Sequence, residues 1–238
     1  MNGGWNPWHG CHKYSEGCAN CYVYRMDARH DKDSSLVTKT QAYDLPLRHA
    51  RDGSYKLKSS DGVVYTCFTS DFFVEDADEW RPGAWAMMRE RSDLQFMFIT
   101  KRILRAERCL PPDWGDGYPN VAMGCTVENQ RRTDERLPVF RDFPVQHKYI
   151  ISEPLLERVD MSKYLGPWAA SITVGGESGP EARPCDFDWV LSLREQAEAA
   201  GVKFHFKQTG AKFIKDGKLY SIPRRLQFQQ ARRANVDI

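Results

Sequence analysis

Six short apolar runs, each broken by a polar residue or a glycine, constrain this chain more than any other feature. They are Val63–Phe68, Phe96–Ile99, Val121–Cys125, Tyr149–Ile151, Ser171–Val174 and Lys203–Phe206. They are near-continuous in β-branched and aromatic residues rather than alternating, the pattern of strands covered on both faces. Stretches with helical spacing lie between them. Asp76–Arg91 sets Trp80, Ala84, Met87 and Met88 three or four residues apart; Gln130–Phe140 follows, then Asp186–Ala200 with Gly201 just beyond it. Strands alternating with helices through right-handed crossovers make a parallel sheet. The expected fold is therefore α/β, with the sheet curled into a full or partial TIM-like (β/α) barrel.

In such a sheet the chemistry gathers at the C-terminal ends of the strands. That edge would collect Ser70 and Asp71, Lys101, Thr126 and Glu128, Ser152 and Glu153, Gly175-Gly176-Glu177, and Lys207. One polar strand end is unremarkable, but six in succession imply a ligand-binding mouth. On the last strand His205 and Lys207 share one face and Phe204 and Phe206 the other.

At 238 residues and 41% hydrophobic content, the chain suits one large α/β domain or two small ones. The chain has no internal repeat and no convincing linker, which favours one domain over 1–238. A polar excursion over about 31–62 precedes the first long strand, and Ser60-Asp61-Gly62 suggests a hairpin turn leading into it. No apolar stretch is long enough to span a bilayer and no signal-peptide pattern opens the chain, so the expected compartment is the cytoplasm, with no membrane. There the seven cysteines stay reduced. A net charge of +2 does not by itself demand nucleic acid. The pairs Arg224-Arg225 and Arg232-Arg233 fit a solvated helix face or a phosphate contact.

Cys11, Cys18 and Cys21 lie together in the loop 5–24. They have three readings. Free cysteines often simply pack, although Gly, Asn, Ser and Lys around these do not make a core. With His9 or His12 they would satisfy a Cys₃His zinc site, as in a non-catalytic module that binds DNA or a protein partner. As three thiolates they would hold a [4Fe–4S] cluster and leave one iron open. An open iron beside a polar mouth suits S-adenosylmethionine (SAM), whose amine and carboxylate can chelate it, and whose sulfonium the cluster would reduce to release a 5′-deoxyadenosyl radical.

Asn6-Pro7-Trp8-His9-Gly10-Cys11 and Cys21-Tyr22, with Thr69-Ser70-Asp71, Thr100-Lys101 and Cys125-Thr126-Val127-Glu128, resemble radical-SAM enzymes of the spore photoproduct lyase kind. A closer resemblance is to a phage-associated radical-SAM-like family found beside three-Cys-motif partner proteins. It is carried by Trp5-Asn6-Pro7, Asn20-Cys21-Tyr22, Ser70-Asp71-Phe72-Phe73, Thr100-Lys101-Arg102, Ser152-Glu153-Pro154-Leu155, Gly175-Gly176-Glu177-Ser178-Gly179, Ala182-Arg183-Pro184 and Phe206-Lys207-Gln208. The gap of six residues between Cys11 and Cys18 departs from the three of the wider superfamily, and Asn20 stands where an aromatic is usual.

The resemblance implies a radical-SAM barrel whose cluster is ligated by Cys11, Cys18 and Cys21. It implies that Ser70 and Asp71 accept from the SAM ammonium and that Lys101 pairs with its carboxylate. Thr126, Glu128 and Glu153 would bond the ribose hydroxyls, Gly175 and Gly176 would lie close to adenine, and Tyr22 and Glu177 would complete the SAM site. It further implies a reductant such as flavodoxin or ferredoxin, a three-Cys-motif partner protein, and a nucleic-acid or nucleotide substrate.

Overall fold

A computed structural model describes residues 4–238. The strands are β1 (Gly4–Trp5), β2 (Trp8–His9), β3 (Thr38–Lys39), β4 (Val63–Thr66), β5 (Gln95–Thr100), β6 (Val121–Thr126), β7 (His147–Ser152), β8 (Ser171–Gly175), β9 (Cys185–Asp186), β10 (Lys203–Gln208), β11 (Lys212–Lys215) and β12 (Lys218–Ser221). The helices are α1 (Tyr22–Ala28), α2 (Arg81–Glu90), α3 (Ile103–Ala106), α4 (Gln130–Asp142), α5 (Phe187–Ala199) and α6 (Arg224–Ala234). Seven strands form a parallel sheet in the order β1-β4-β5-β6-β7-β8-β10, flanked by helices. No helix among the described residues is long and apolar enough to cross a membrane.

All six apolar runs are strands of this sheet, and the differences from the expected bounds have local causes. Val63–Phe68 stops early because Cys67 takes a left-handed backbone, φ 61°, which no strand continues. The helix expected from Asp76 begins at Arg81, with Pro82 in its first turn, where a missing N–H costs nothing; a 3₁₀ turn over Glu75–Ala77 precedes it. Helix α5 starts on Asp186, whose side chain accepts from the Asp188 N–H. It ends in a Schellman motif: Gly201 at φ 66°, Val202 N–H to Ala197 O and Gly201 N–H to Glu198 O. The hairpin expected at Ser60-Asp61-Gly62 is instead a 3₁₀ turn over Ser59–Asp61. A β-bridge joins His49 to Tyr55 upstream of it.

The chain divides into two compact units. One comprises the residues up to Tyr14, Val23–Gly124 and Phe143–His147; the other comprises Ser15–Tyr22, Cys125–Asp142 and Lys148–Ile238. The core of the first is aromatic: Phe72 stacks on Phe98 with centroids 4.3 Å apart, and Trp8, Phe73 and Trp85 close around them. Here the excursion returns to the start of the chain, where β3 pairs antiparallel with β2. The core of the second is built on Ile172, Val174, Leu193, Phe204 and Phe206, all buried.

Candidate functional site

In the first unit the excursion buttresses Cys11. Gly10 takes φ 90°, and a Cβ there would meet Leu36 O at 2.3 Å, so only glycine lets the chain pass. The Cys11 N–H donates to Ser34 O at 2.8 Å, the Tyr24 hydroxyl donates to Cys11 O, and Ser70 Oγ donates to Gly10 O. His9 Nε2 lies 2.8 Å from Asp27 Oδ2, which also accepts from Ser34. Burial works to raise the Asp27 carboxyl, but the bonds from Ser34 and His9 outweigh it and hold it below the usual range.

The buried Arg102 guanidinium gathers this region. Its Nη1 stands 3.6 Å from Cys11 Sγ, its Nη2 donates to His12 O at 2.9 Å, and it lies over the Tyr14 ring. It also faces Asp71 Oδ2 at 3.4 Å and Glu75 at 3.3 Å. Burial opposes its charge, but Asp71, Cys11 and Glu75 raise its pKa above the ordinary arginine value. Asp71, 5% exposed, points inward: Oδ1 accepts from Thr100 Oγ1 (2.8 Å) and the Phe73 N–H (3.0 Å), and Oδ2 from the Lys101 N–H (2.9 Å). Its oxygens tie the end of β5 to the turn after β4, which leaves little for a ligand's ammonium. Among the described residues the Lys101 ammonium has no ion-pair partner.

In the second unit two strand-end carboxylates hold the loop that carries Cys18 and Cys21. Glu128 is fully buried; Oε2 takes Arg136 Nη1 at 2.8 Å, and Oε1 accepts from the Gly17 N–H (3.2 Å) and Ser15 Oγ. Glu177 accepts from Asn20 Nδ2 (3.0 Å) and from the backbone and side chain of Arg183. Arg183 Nη2 in turn donates to Glu16 O at 2.8 Å, and Arg132 Nε donates to Glu16 Oε2 at 2.9 Å. The bond from Arg132 is the main cause holding the Glu16 carboxyl down to about 2. Burial works to raise the Glu177 carboxyl, and Arg183 outweighs it. Glu128 and Glu177 are thus committed to the cysteine loop.

The other strand ends of this unit differ. Thr126 Oγ1 and Ser152 Oγ are buried and have no partner among the described residues. They lie near the ends of β6 and β7, where the Val127 N–H donates to Ile151 O and sets the two hydroxyls one residue out of step. An unsatisfied buried hydroxyl costs about 1–3 kcal/mol. Glu153 crosses over Gly175, whose Cβ would meet Glu153 Oε1 at 3.0 Å. It is held by Lys207 Nζ at 2.7 Å, from the residue inside a register shift of β10, and by Gln208 just after it. Gly176 serves the protein's own packing: a Cβ would meet Thr209 O at 2.4 Å. His205 is exposed and bonds Asp237, so the polar face of β10 there turns to solvent. Tyr22 is 42% exposed at the start of α1.

Cys11, Cys18 and Cys21 are half-buried thiols, whereas Cys67, Cys125 and Cys185 are buried. Burial pushes the Cys67 thiol up and the Cys185 thiol up to about 12, which suits inert packing. Cys11 belongs to the first unit, Cys18 and Cys21 to the second. Among the described residues no three His, Cys, Asp or Glu side chains are gathered closely enough to hold a single metal ion. In a cluster each thiolate has its own iron, so the sulfurs need not crowd one ion. Cys11 is an accessible thiol beside a buried cation, which favours its thiolate. Sequence reasoning missed Arg102, Arg132, Arg183, Ser15 and Glu16 as supports. Two of them lay inside quoted motifs, Thr100-Lys101-Arg102 and Ala182-Arg183-Pro184.

Residues 1–234 match the model of a family described as protein of unknown function, DUF5131. No curated protein and no solved structure matches the chain. Matched over nearly its whole length, the chain belongs to the DUF5131 family.

Proposed function

We propose that the chain is a radical-SAM enzyme whose [4Fe–4S] cluster is held by Cys11, Cys18 and Cys21. The observation that carries this reading is what the protein spends on its cysteine loop: Glu128 and Glu177, both buried, give their oxygens to Ser15, Gly17 and Asn20. Buried carboxylates are costly to place, and a loop that only packed its cysteines would not need them. Arg102 beside Cys11 adds support, since a guanidinium favours the thiolate that iron takes. When bound, the cluster would pass an electron to the SAM sulfonium and break its carbon–sulfur bond.

The chain's own groups would bind and orient SAM. The Lys101 ammonium suits its carboxylate, the Thr126 and Ser152 hydroxyls suit ribose hydroxyls, and Tyr22 offers an exposed ring. The sheet keeps sequence order with no switch point, which supports a partial (β/α) barrel. The reading includes a cytoplasmic setting that keeps the thiols reduced, a flavodoxin or ferredoxin reductant, and a three-Cys-motif partner protein.

Anaerobic reconstitution with iron and sulfide tests it. A brown protein holding about four irons, lost in Cys18→Ala, and 5′-deoxyadenosine formed from SAM after dithionite reduction are expected. A colourless protein carrying one zinc would replace this reading with the Cys₃His binding module.

A further inference from the structure

Charge is unevenly spread along this chain. Nine of its Lys and Arg but only one acid, Asp216, lie between residues 203 and 234. That segment carries +8 in a chain whose total is +2, so the remainder stands at −6. The segment belongs to the second unit and builds β10, the β11–β12 hairpin and α6.

The hairpin turns on Asp216-Gly217, both at positive φ, and places Lys215 directly opposite Lys218. Like charges so placed repel. Strand β12 is exposed along its whole length, with Leu219 59% and Tyr220 45% exposed. On α6 the inward stripe is Gln227 and Ala231, both buried. The outward side carries Arg224, Phe228 and Arg232 four residues apart, with Arg225 and Arg233 beside them. Arg224 lies 5.0 Å from the centroid of the exposed Phe228 ring, and its hydrogen bonds go to the neutral amides of Gln208 and Gln227. Arg224 and Arg225 also occupy the first turn, where the helix dipole disfavours cations. Among the described residues Lys212, Lys218, Arg225, Arg232 and Arg233 have no carboxylate partner. Lys207 pairs with Glu153, but the protein bears the cost of the charge on these five without a carboxylate to offset it.

We propose that the β11–β12 hairpin and α6 form a docking surface for single-stranded nucleic acid. Lys215, Lys218, Arg225, Arg232 and Arg233 meet phosphates, and the exposed Tyr220 and Phe228 rings stack on unpaired bases. Charge complementarity selects a polyanion. The exposed rings select a single strand, because a duplex hides the faces of its bases. The surface is independent of the cluster reading, so either can fail without the other.

The test is fluorescence anisotropy on the full chain, with labelled oligothymidylate and oligouridylate of about 20 nucleotides and a duplex of equal length. Affinity for the single strands is expected to fall between about 50 and 200 mM salt, with a log–log slope of about −0.7 per phosphate contacted. Combining Arg225→Ala, Arg232→Ala and Arg233→Ala should flatten that slope by about 2. Tyr220→Ala should weaken binding about tenfold and leave the slope alone. All four positions are exposed, so unchanged thermal melts and cluster content would show that the variants remain folded. A wild-type chain that binds neither single strand at low salt overturns the proposal. So does a triple variant with the wild-type slope, a duplex bound as tightly as the single strands, or anionic vesicles that displace the oligonucleotide.

Discussion

The Arg102 guanidinium reaches within 3.6 Å of the Cys11 sulfur while also facing the Asp71 carboxylate at 3.4 Å. One buried cation thus links the first cysteine of the loop to the turn that follows β4. Because Arg102 and Asp71 are both nearly inaccessible, neither charge is screened by water, and Asp71 is the buried counter-charge of Arg102 beside the more exposed Glu75.

Arg102→Gln is therefore expected to have two effects. It leaves Asp71 short of its counter-charge, which should destabilise the chain by about 3–5 kcal/mol in urea unfolding. It also removes the cation beside Cys11, so alkylation of that thiol by iodoacetamide at neutral pH should slow several-fold, read by peptide mass spectrometry. Arg102→Lys should recover little of either, because an ammonium cannot reach Cys11, His12 O and Asp71 together as the planar fork does. Unaltered alkylation in Arg102→Gln would show that the guanidinium does not act on Cys11.

Glu128 and Arg136 form an ion pair with no exposed surface on either side chain. Glu128→Gln keeps an acceptor for Ser15 and the Gly17 N–H but removes the buried carboxylate 2.8 Å from Arg136. The expected loss is about 3–5 kcal/mol. Because the same carboxylate holds the loop, limited proteolysis should cut near Cys18 faster than in the wild type. A variant as stable as the wild type would mean that Arg136 is neutralised elsewhere.

The sheet was legible because buried parallel strands leave continuous apolar runs in the sequence, and the end of α5 was legible because Gly201 supplies the left-handed backbone its cap needs. The support around Cys11 was not. β3 has two residues and pairs with β2 across the excursion, so no local periodicity marks it. Glu128 and Glu177 stood out as strand-end acids, yet residue type cannot tell a carboxylate that waits for a ligand from one that holds a loop 111 residues earlier, as Glu128 does with Gly17. Asp216-Gly217 is a hairpin signal, but no apolar run marks β12, which is wholly exposed.

The clamp on the cysteine loop should respond to acid. Arg132 holds the Glu16 carboxyl at about 2, below its ordinary 4.5. A folded-state value below the unfolded one means that the contribution is fully present above about pH 4.5 and is lost as pH falls towards 2. Glu177 is shifted in the same direction, mainly through Arg183 overcoming burial. Urea midpoints of wild type and Glu16→Gln should therefore differ near neutral pH and converge in acid. A gap that persists below the folded-state value would assign the effect to something other than ionisation.

Asp71→Asn separates a structural role from a ligand-binding one. The carboxylate accepts the Thr100 hydroxyl and the N–H groups of Phe73 and Lys101, and its backbone carbonyl accepts from Trp8 Nε1 at 3.2 Å. An amide can replace one oxygen, but its NH₂ group must then face a donor, either the Lys101 N–H or the pair from Thr100 and Phe73, and Arg102 loses its buried partner and keeps only the more exposed Glu75. With Asp71 only 5% exposed, water cannot compensate. The variant should lose about 3 kcal/mol or more in the absence of any ligand. In conditions where it remains folded, SAM affinity measured by calorimetry should change little, because the oxygens face the protein. A variant of wild-type stability that binds SAM many-fold more weakly would return Asp71 to the ligand's ammonium and require the side chain to turn outward on binding.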